Sequence, residues 1–291
     1  MKKIAASELI LNADGSVFHL HLKPEEIADT IILVGDPGRV ETVSSFFNSI
    51  EIKVQNREFI THTGYFNNKR ISVISTGIGT DNIDIVVNEL DALTNIDLKN
   101  RVIKENHKSL NLIRIGTSGA LQKDIPIDSI LVSKMAIGFD GLLNFYANRD
   151  KVSNLEMEKA FVEYANWSKS LTSPYFVEAS ENLLNNIAYD LRHGITISAP
   201  GFYAPQGRVL RLELANPNLN KAIENFEYNG KKITNFEMES SAIFGLSKLM
   251  RHEAITFCAI IANRILHQYS SDYKIIVKKL IKEVLERISG H

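Results

Sequence analysis

Five short segments of the sequence carry side chains whose chemistry and spacing suggest a functional site, and four of them contain glycine. They are residues 35–39 (GDPGR), 75–80 (STGIGT), 114–119 (RIGTSG), 202–208 (FYAPQGR) and 236–241 (FEMESS). The first three lie at the end of a short apolar run that is typical of a buried strand. Since ligands of open α/β sheets bind beyond the strand ends, these turns are where chemistry is expected.

Two of the segments suit a phosphate-like anion. Gly35 lets the backbone approach a ligand closely, and Arg39 opens a predicted helix whose free N–H groups favour an anion. Arg114 stands beside two glycines and two hydroxyls, and its guanidinium can bind an oxyanion through two hydrogen bonds. The Gly-Lys-Ser/Thr ending of a Walker loop is missing. Two plainer interpretations are open: a simple β-turn at 35–39, and an Arg114 paired with a core carboxylate.

The segment 75–80 is predicted to be a tight strand-to-helix turn. Its Gly-x-Gly would need a third glycine to form a dinucleotide fingerprint, and Asn82 stands in that place. A Rossmann cofactor site is therefore not expected.

Of the two remaining segments, one suits a planar heterocycle and the other carries a pair of carboxylates. In 202–208, an aromatic ring can stack on a planar base while Gln206 and Arg208 read its polar edge. In 236–241, Glu237 and Glu239 flank Met238 at a predicted helix start. The plainer alternatives are an ordinary surface loop and acidic residues that complement a helix dipole.

Composition excludes several classes of protein. The 291 residues include 33 Lys+Arg, 34 Asp+Glu and one Cys, and 44% are hydrophobic. One cysteine excludes a disulfide framework or a cysteine-based metal site, and Cys258 is predicted to be a small buried residue. The net charge of −1 provides no bulk attraction to nucleic acid or to an anionic membrane. The eight histidines show no metal-binding spacing, and no metal site is predicted. The N-terminus makes a poor secretory signal and no apolar run could span a bilayer, so a cytoplasmic location is expected.

Strand-like and helix-like segments alternate along the chain, which argues for an α/β fold with a largely parallel sheet. Predicted strands cover 30–34, 51–61, 70–75, 112–115, 129–133, 194–198 and 254–262, with a hairpin connection at 66–69. Predicted helices cover 39–47, 81–93, 156–171, 181–191, 238–250 and 273–288. Residues 1–291 are expected to form a single domain, in which the polar stretch 94–110 is a surface insertion.

Taken together and in this order, the segments resemble those of the uridine phosphorylases in the nucleoside phosphorylase-I family. Further matching points are VFHL at 17–20, REF at 57–59 and IANR at 261–264, and RIGTSG continues as RIGTSGAL at 114–121. The resemblance implies an α/β domain with a central mixed β-sheet, a distorted barrel, surrounded by helices. It also implies a pentosyltransferase that converts uridine and phosphate to uracil and ribose 1-phosphate in nucleoside salvage.

The family's residue roles carry over position by position. Phosphate would be bound by Gly35, Arg39, Arg57, Arg114 and Thr117, with Arg57 reaching in from a neighbouring subunit. Ribose would be bound by Met238, Glu239 and the neighbour's His19. The base would contact Phe202, Gln206, Arg208, Glu237, Ile261 and Arg264. Arg114, Glu239 and Arg208 are the implied catalytic groups.

Departures from the family pattern refine these expectations. The purine-specific bacterial branch carries an acidic residue and a His near 261–264, where this chain has Asn263 and Arg264, which favours uracil. Ala262 replaces a larger aliphatic residue and implies a roomier pocket. Asn82 replaces a small hydroxyl residue that helps bind a monovalent cation in some members, which argues against a potassium site although Glu58 and Ile78 are kept. No cofactor is expected beyond phosphate as co-substrate.

The resemblance implies a homo-oligomer with shared active sites, at least a dimer and by preference a hexamer built from dimers. Three alternatives are kept. A purine nucleoside phosphorylase would use the same fold, and a nucleosidase would use water, against which the three arginines argue. A non-catalytic nucleoside-binding protein is the third alternative, because a fold alone does not determine function.

Overall fold

A computed structural model describes residues 3–290, and its strands and helices alternate along the chain. The strands are β1 (Thr30–Val34), β2 (Ser49–Asn56), β3 (Phe59–Phe66), β4 (Lys69–Ser75), β5 (Ile96–Asp97), β6 (Val102–Ile103), β7 (Asn111–Ala120), β8 (Ile130–Gly138), β9 (Tyr175–Glu178), β10 (His193–Ser198), β11 (Glu227–Tyr228), β12 (Lys231–Glu237), β13 (Glu253–Asn263) and β14 (Gln268–Tyr269). The α-helices are α1 (Pro37–Ser44), α2 (Thr80–Asn95), α3 (Leu155–Tyr164), α4 (Glu181–Ile187), α5 (Leu219–Asn225), α6 (Ser240–Met250) and α7 (Tyr273–Ser289). Short 3-10 helices span Pro24–Glu26, Leu142–Phe145, Arg149–Lys151 and Ala204–Gln206.

The main sheet closes on itself in its C-terminal part. Its strand order is β11-β12-β10-β8-β13-β7-β1-β4-β3-β2, and β12 also pairs with β7. Strands β7, β13, β8, β10 and β12 therefore form a closed five-stranded barrel, from which β1, β4, β3 and β2 extend as an open sheet. The predicted α/β fold with a central mixed sheet in the form of a distorted barrel is confirmed.

The expectation of a largely parallel sheet is wrong, because the sheet contains both parallel and antiparallel strand pairs. Strand β1 is parallel to β4 and β7, β13 is parallel to β7, and β10 is parallel to β8 and β12. The barrel closes through antiparallel pairs, β13 with β8 and β12 with β7, and β2-β3-β4 is an antiparallel meander. The alternation of strands and helices in the sequence indicates how consecutive strands are connected. It does not indicate which strands pair where the barrel closes, or in which direction.

The helices pack against the strands of the sheet, and a large apolar core lies between them. Helix α6 packs on α2 and on β8 and β13, α1 packs on β3 and β4, and α7 packs on β7 and β13. All five residues of β1 are buried, as a continuous apolar run predicts. The hairpin predicted at 66–69 is confirmed, with Asn67 and Asn68 at φ of 48° and 64°, the conformation of a two-residue turn.

The barrel interior contains the single cysteine. Cys258 is fully buried and packs with Ala120, Leu131 and Ile260. Burial raises the pKa of its thiol to about 12. Cys258 is therefore a small buried residue, as predicted. A raised pKa keeps its thiol neutral, and a neutral thiol is a poor nucleophile.

Several elements differ from the predicted ones. The segment 236–241 is the junction of a strand and a helix, since β12 ends at Glu237 and α6 begins at Ser240. Strands β9 and β12 and helix α5 were not predicted. Helix α3 ends at Tyr164 instead of continuing to residue 171, and Asn166 has a φ of 45°, a left-handed conformation that favours helix termination.

Residues 94–110 complete α2 and form the two-stranded hairpin β5–β6, which does not join the main sheet. Asn95 ties this segment down, because its side chain both donates to the Lys108 carbonyl (3.1 Å) and accepts from the Lys108 N–H (2.8 Å). The interpretation of 94–110 as an insertion in a single domain stays a prediction.

Across residues 3–290, we find no helix that combines the length and the apolar character needed to cross a membrane. The expected cytoplasmic location stays a prediction.

Candidate functional site

The turn from β1 into α1 places Arg39 at the edge of the sheet. Asp36 caps the helix by accepting a hydrogen bond from the Gly38 N–H (2.9 Å), and Pro37 occupies the first helical turn. The Arg39 guanidinium donates to the Ile115 carbonyl at 3.3 Å. Burial, and next the positive charge of Arg114, lower the pKa of Arg39. Because Arg39 and Arg114 are both positively charged and repel each other, an anion that contacts both guanidiniums would be favourable.

Strand β7 carries Arg114, which pairs with two carboxylates. Its Nη2 donates to Glu239 Oε2, and its Nη1 lies 3.2 Å from Glu237 Oε2. The side chain is 7% exposed, yet Nη1 makes no aligned hydrogen bond with any group of residues 3–290. The plainer interpretation, pairing with core carboxylates, is therefore correct, and it leaves donor capacity for a further acceptor.

The space for this guanidinium comes from Gly116, two residues along the same face of β7. A Cβ atom at position 116 would lie 2.0 Å from Arg114 Nη1. Any side chain at this position would therefore displace the arginine. Thr117, the next residue on the strand, is half-buried and paired with Ala259 of β13.

The loop between β4 and α2 closes the same edge of the sheet. Gly77 and Gly79 have φ of 72° and 99°, values that favour glycine, and the predicted tight strand-to-helix turn is confirmed. The Gly79 N–H donates to Glu239 Oε1 at 2.8 Å. Gly35 faces this loop, because a Cβ on it would lie 3.3 Å from the Gly77 carbonyl oxygen.

Glu239 is the N-cap residue of α6, and its side chain is 5% exposed. Burial, and to a smaller extent the charge of Glu237, raise the pKa of its carboxyl, while Arg114 opposes the shift. Glu237 is buried too, and its carboxylate faces the backbone N–H groups of Glu239 and Ser240 at 3.0 Å each. Met238, between the two acids, is half-buried.

The segment 202–208 folds into a compact loop around Arg208. Its guanidinium lies 3.8 Å above the centre of the Phe202 ring and donates to the Phe202 carbonyl and to Gln206 Oε1, both at 2.6 Å. Gln206 is buried, whereas Phe202 is 51% exposed. The structure thus brings together the aromatic, amide and guanidinium groups that the sequence singled out.

Arg264 attaches this loop to the barrel. Its Nη1 donates to the Gln206 carbonyl, and its guanidinium carbon lies 5.8 Å from the centre of the Phe236 ring. Burial, and next the charge of Arg208, lower the pKa of Arg264 to about 10. Ile261, a few residues before Arg264, lies at an irregularity of β13 where the pairing with β7 skips one residue. Such bulges change the direction in which neighbouring side chains point.

His19 and Arg57 form a second group with Phe18. The Arg57 guanidinium carbon lies 5.6 Å from the centre of the Phe18 ring, and His19 Nδ1 is 2.7 Å from Glu89 Oε1. Among residues 3–290, no hydrogen bond joins His19 or Arg57 to Arg39, Arg114 or Glu239. The structure therefore places these two predicted residues with each other and does not join them to the arginine–glutamate group.

Comparison with known proteins agrees with the fold. The model of the phosphorylase superfamily matches residues 29–287, and the chain belongs to this family. A uridine phosphorylase of Thermococcus kodakarensis is 29% identical over 277 residues, which cover 92% of this chain and 85% of that protein. A DeoD-type purine nucleoside phosphorylase of Listeria welshimeri is 34% identical over 119 residues, or 40% of this chain and 46% of that protein.

Among solved structures, a Trypanosoma brucei nucleoside phosphorylase, described as showing uridine phosphorylase activity, superposes with a TM-score of 0.87. It is 29% identical and the match covers 97% of this chain and 100% of that chain. The fold is thus the nucleoside phosphorylase-I fold that the sequence motifs implied.

Sequence reasoning missed the polar groups behind the site. Ser198 at the end of β10 donates to Glu237, and Asp140 accepts from Ser241. Single serines and a single aspartate carry no motif, so only the packing of β10 against β12 could identify them.

Sequence reasoning also missed a cluster of Asp91, His107 and His252, whose potential ligand atoms lie within 4.8 Å of one another. His252 Nδ1 accepts from the Leu110 N–H, so in the neutral ring Nε2 carries the proton and faces Asp91 at 3.1 Å. That tautomer opposes metal binding through Nε2. The expectation of no metal site stays a prediction.

Proposed function

We propose that the protein catalyses the reversible phosphorolysis of uridine to uracil and ribose 1-phosphate, as a pentosyltransferase of pyrimidine salvage. The observation that carries this proposal is the meeting of two guanidiniums, the half-buried Arg39 and the buried Arg114, with the buried carboxylate of Glu239 paired to Arg114. Two guanidiniums next to a sugar-orienting acid suit an attack of phosphate on a nucleoside. The similarity to proteins named as uridine phosphorylases supports it.

Phosphate would bind between Arg39 and Arg114, with the Gly35 N–H and the Thr117 hydroxyl as further donors. Phosphate is a weak nucleophile, so it must be positioned and partly stripped of water. Charge-assisted hydrogen bonds from guanidiniums do this without a metal. We therefore expect phosphate as co-substrate and no cofactor, and Asn82 argues against a potassium site.

The positive charges of the site within one chain are not sufficient to neutralise a bound phosphate. Arg39 and Arg114 are matched by Glu237 and Glu239, so a bound phosphate dianion leaves the group negative. Arg57 of a neighbouring subunit would supply the additional charge, and His19 of that subunit would reach the ribose 5′-hydroxyl. The contact of Arg57 with Phe18 supports this, because it holds both donated residues in one surface group.

Ribose would lie against Met238 and Glu239, and the base against Phe202, Ile261 and the Gln206–Arg208 edge. Arg264 supports that edge through the Gln206 carbonyl. Glycosidic cleavage passes through an oxocarbenium-like state, and the phosphate approaches as positive charge develops on the sugar. Donors from Arg208 and Gln206 would stabilise the negative charge on the leaving uracil.

The alternative of a purine nucleoside phosphorylase is less well supported, because Asn263 and Arg264 stand where a purine-specific site would need an acid and a His. Asn263 is fully buried and donates to the Gln122 and Ile125 carbonyls at 2.9 and 2.8 Å, so it supports the barrel end, and its neutral amide is not an acid that could protonate a base.

The test is incubation of the purified protein with uridine, with and without phosphate, and with inosine in parallel. Uracil release that requires phosphate, and that exceeds hypoxanthine release from inosine, is expected. Faster cleavage of inosine would favour the purine alternative, and binding of uridine without turnover would favour a non-catalytic protein.

A further inference from the structure

Three protein groups donate hydrogen bonds to the Glu237 carboxylate, and Arg114 forms an ion pair with it. Oε1 accepts from the Ser198 hydroxyl, and both oxygens accept from the Ser240 N–H at 3.0–3.1 Å. Oε2 also accepts from the Glu239 N–H at 3.0 Å and lies 3.2 Å from Arg114 Nη1. A carboxylate offers about four acceptor positions and no donor, so little capacity is left for a ligand.

The side chain is 1% exposed, which places it behind the site surface. Its partners are the groups whose positions the reaction needs: the backbone of Glu239 at the first turn of α6, and the guanidinium of Arg114 on β7. The carboxylate therefore fixes the distance between a helix start and a neighbouring strand. The free N–H groups of the helix N-terminus stabilise its negative charge.

Ser198 extends this arrangement to the next strand. Its hydroxyl donates to Glu237 and accepts from the Ser241 N–H at 2.9 Å, so β10 supports the same helix start. Ser241 in turn donates to Asp140 Oδ2 at 3.0 Å, and Tyr175 donates to Asp140 at 2.9 Å. All of these side chains lie in the buried interior or at its edge.

We infer that Glu237, held by Ser198, is a positioning residue that sets the places of Glu239 and Arg114, and that it does not contact the base. The inference rests on the proposed function. It moves Glu237 from the base pocket to the support of the ribose and phosphate groups, and it adds Ser198 and Asp140 as the support behind it.

The two assignments predict different selectivity. A displaced Glu239 alters the discrimination of ribose hydroxyls and leaves the discrimination between bases intact. A lost base contact does the reverse. A variant that only lowers the folded fraction changes neither ratio, because all substrates meet the same remaining active protein.

The decisive variant is Ser198→Ala, which removes the hydroxyl and keeps the charge of Glu237. We expect the ratio of kcat/KM for uridine over 2′-deoxyuridine to change roughly three- to tenfold, the effect of one or two lost hydrogen bonds. The ratio for uridine over 5-methyluridine is expected to stay within about twofold. Ser168→Ala removes an exposed hydroxyl and should change neither ratio.

Glu237→Gln is the second variant, for use if Ser198→Ala fails to fold, and the same ribose-ratio change is expected. A change in the base ratio, or no change in either ratio, would overturn the inference. A wild-type protein that releases no uracil would instead refute the proposed function, so the two failures are distinguishable.

Discussion

At the scale of single residues, Arg114 and Arg208 have opposite surroundings. Arg114 is enclosed by two carboxylates at the sheet edge, whereas Arg208 covers one face of Phe202 in a loop and donates to two neutral carbonyl oxygens. No acid neutralises Arg208 within hydrogen-bond distance among residues 3–290. Its charge is therefore available to a leaving group that becomes negative.

Removing that charge should affect the base and spare the phosphate. We expect Arg208→Ala to lower kcat/KM for uridine by roughly a hundredfold, because a charge-assisted hydrogen bond to the leaving group is lost, while KM for phosphate stays within about twofold. Steady-state kinetics in both substrates measures this. Unchanged uridine turnover would contradict the base-site assignment. Arg211→Ala, in the exposed part of the same loop region, is the matched control.

At the scale of elements, strand β7 supplies both the guanidinium and the space for it. Gly116 lies on the same face as Arg114, and a Cβ there would meet Nη1 at 2.0 Å, whereas a Cβ on Gly119 would meet Arg264 Cδ at an ordinary 3.5 Å. A methyl group at position 119 would therefore make ordinary contacts, whereas one at position 116 would require the Arg114 guanidinium to move.

We expect Gly116→Ala to raise KM for phosphate roughly tenfold or more, because a displaced arginine loses a charge-assisted hydrogen bond. The matched variant Gly119→Ala, on the same strand, should keep a near-native KM for phosphate. Kinetics together with circular dichroism separates this effect from unfolding. Equal KM values for the two folded variants would show that Gly116 does not control the position of Arg114.

Element prediction from sequence succeeded where one local signal was enough. The apolar run of β1, the Asn67–Asn68 turn and the glycine turn before α2 follow from residue preferences alone. Strand β12 was missed because its start, Lys231-Lys232, is polar and its end leads directly into α6. Its place in the barrel comes from pairing with β10 and β7, which are distant in the chain.

At the scale of the whole molecule, the candidate site is assembled from both ends of the chain. The residue types of the arginine–glutamate group and of the 202–208 loop could be predicted from their motifs. The contacts that hold each group could not, because they depend on closure of the barrel and on the β13 irregularity at Ile261. The serines behind Glu237 could not be predicted either, since they are recognisable only by their contacts.

If the site is shared between subunits, two inactive variants should complement each other. Arg57→Ala and Arg114→Ala should each be nearly inactive, because each removes a phosphate ligand. Mixed under conditions of confirmed subunit exchange, they should regain activity, since a mixed pair contains one site with both arginines intact. Absence of recovery would mean that Arg57 acts within its own chain or not at all. Solution mass measured beforehand should show at least a dimer.

Phosphate, and not water, is expected to attack the sugar. The most direct measurement is phosphorus NMR of the protein incubated with uridine and inorganic phosphate. A ribose 1-phosphate signal is expected to grow in equal amount with released uracil, and no uracil is expected without phosphate. Release of uracil together with free ribose, at a rate independent of phosphate, would contradict this expectation.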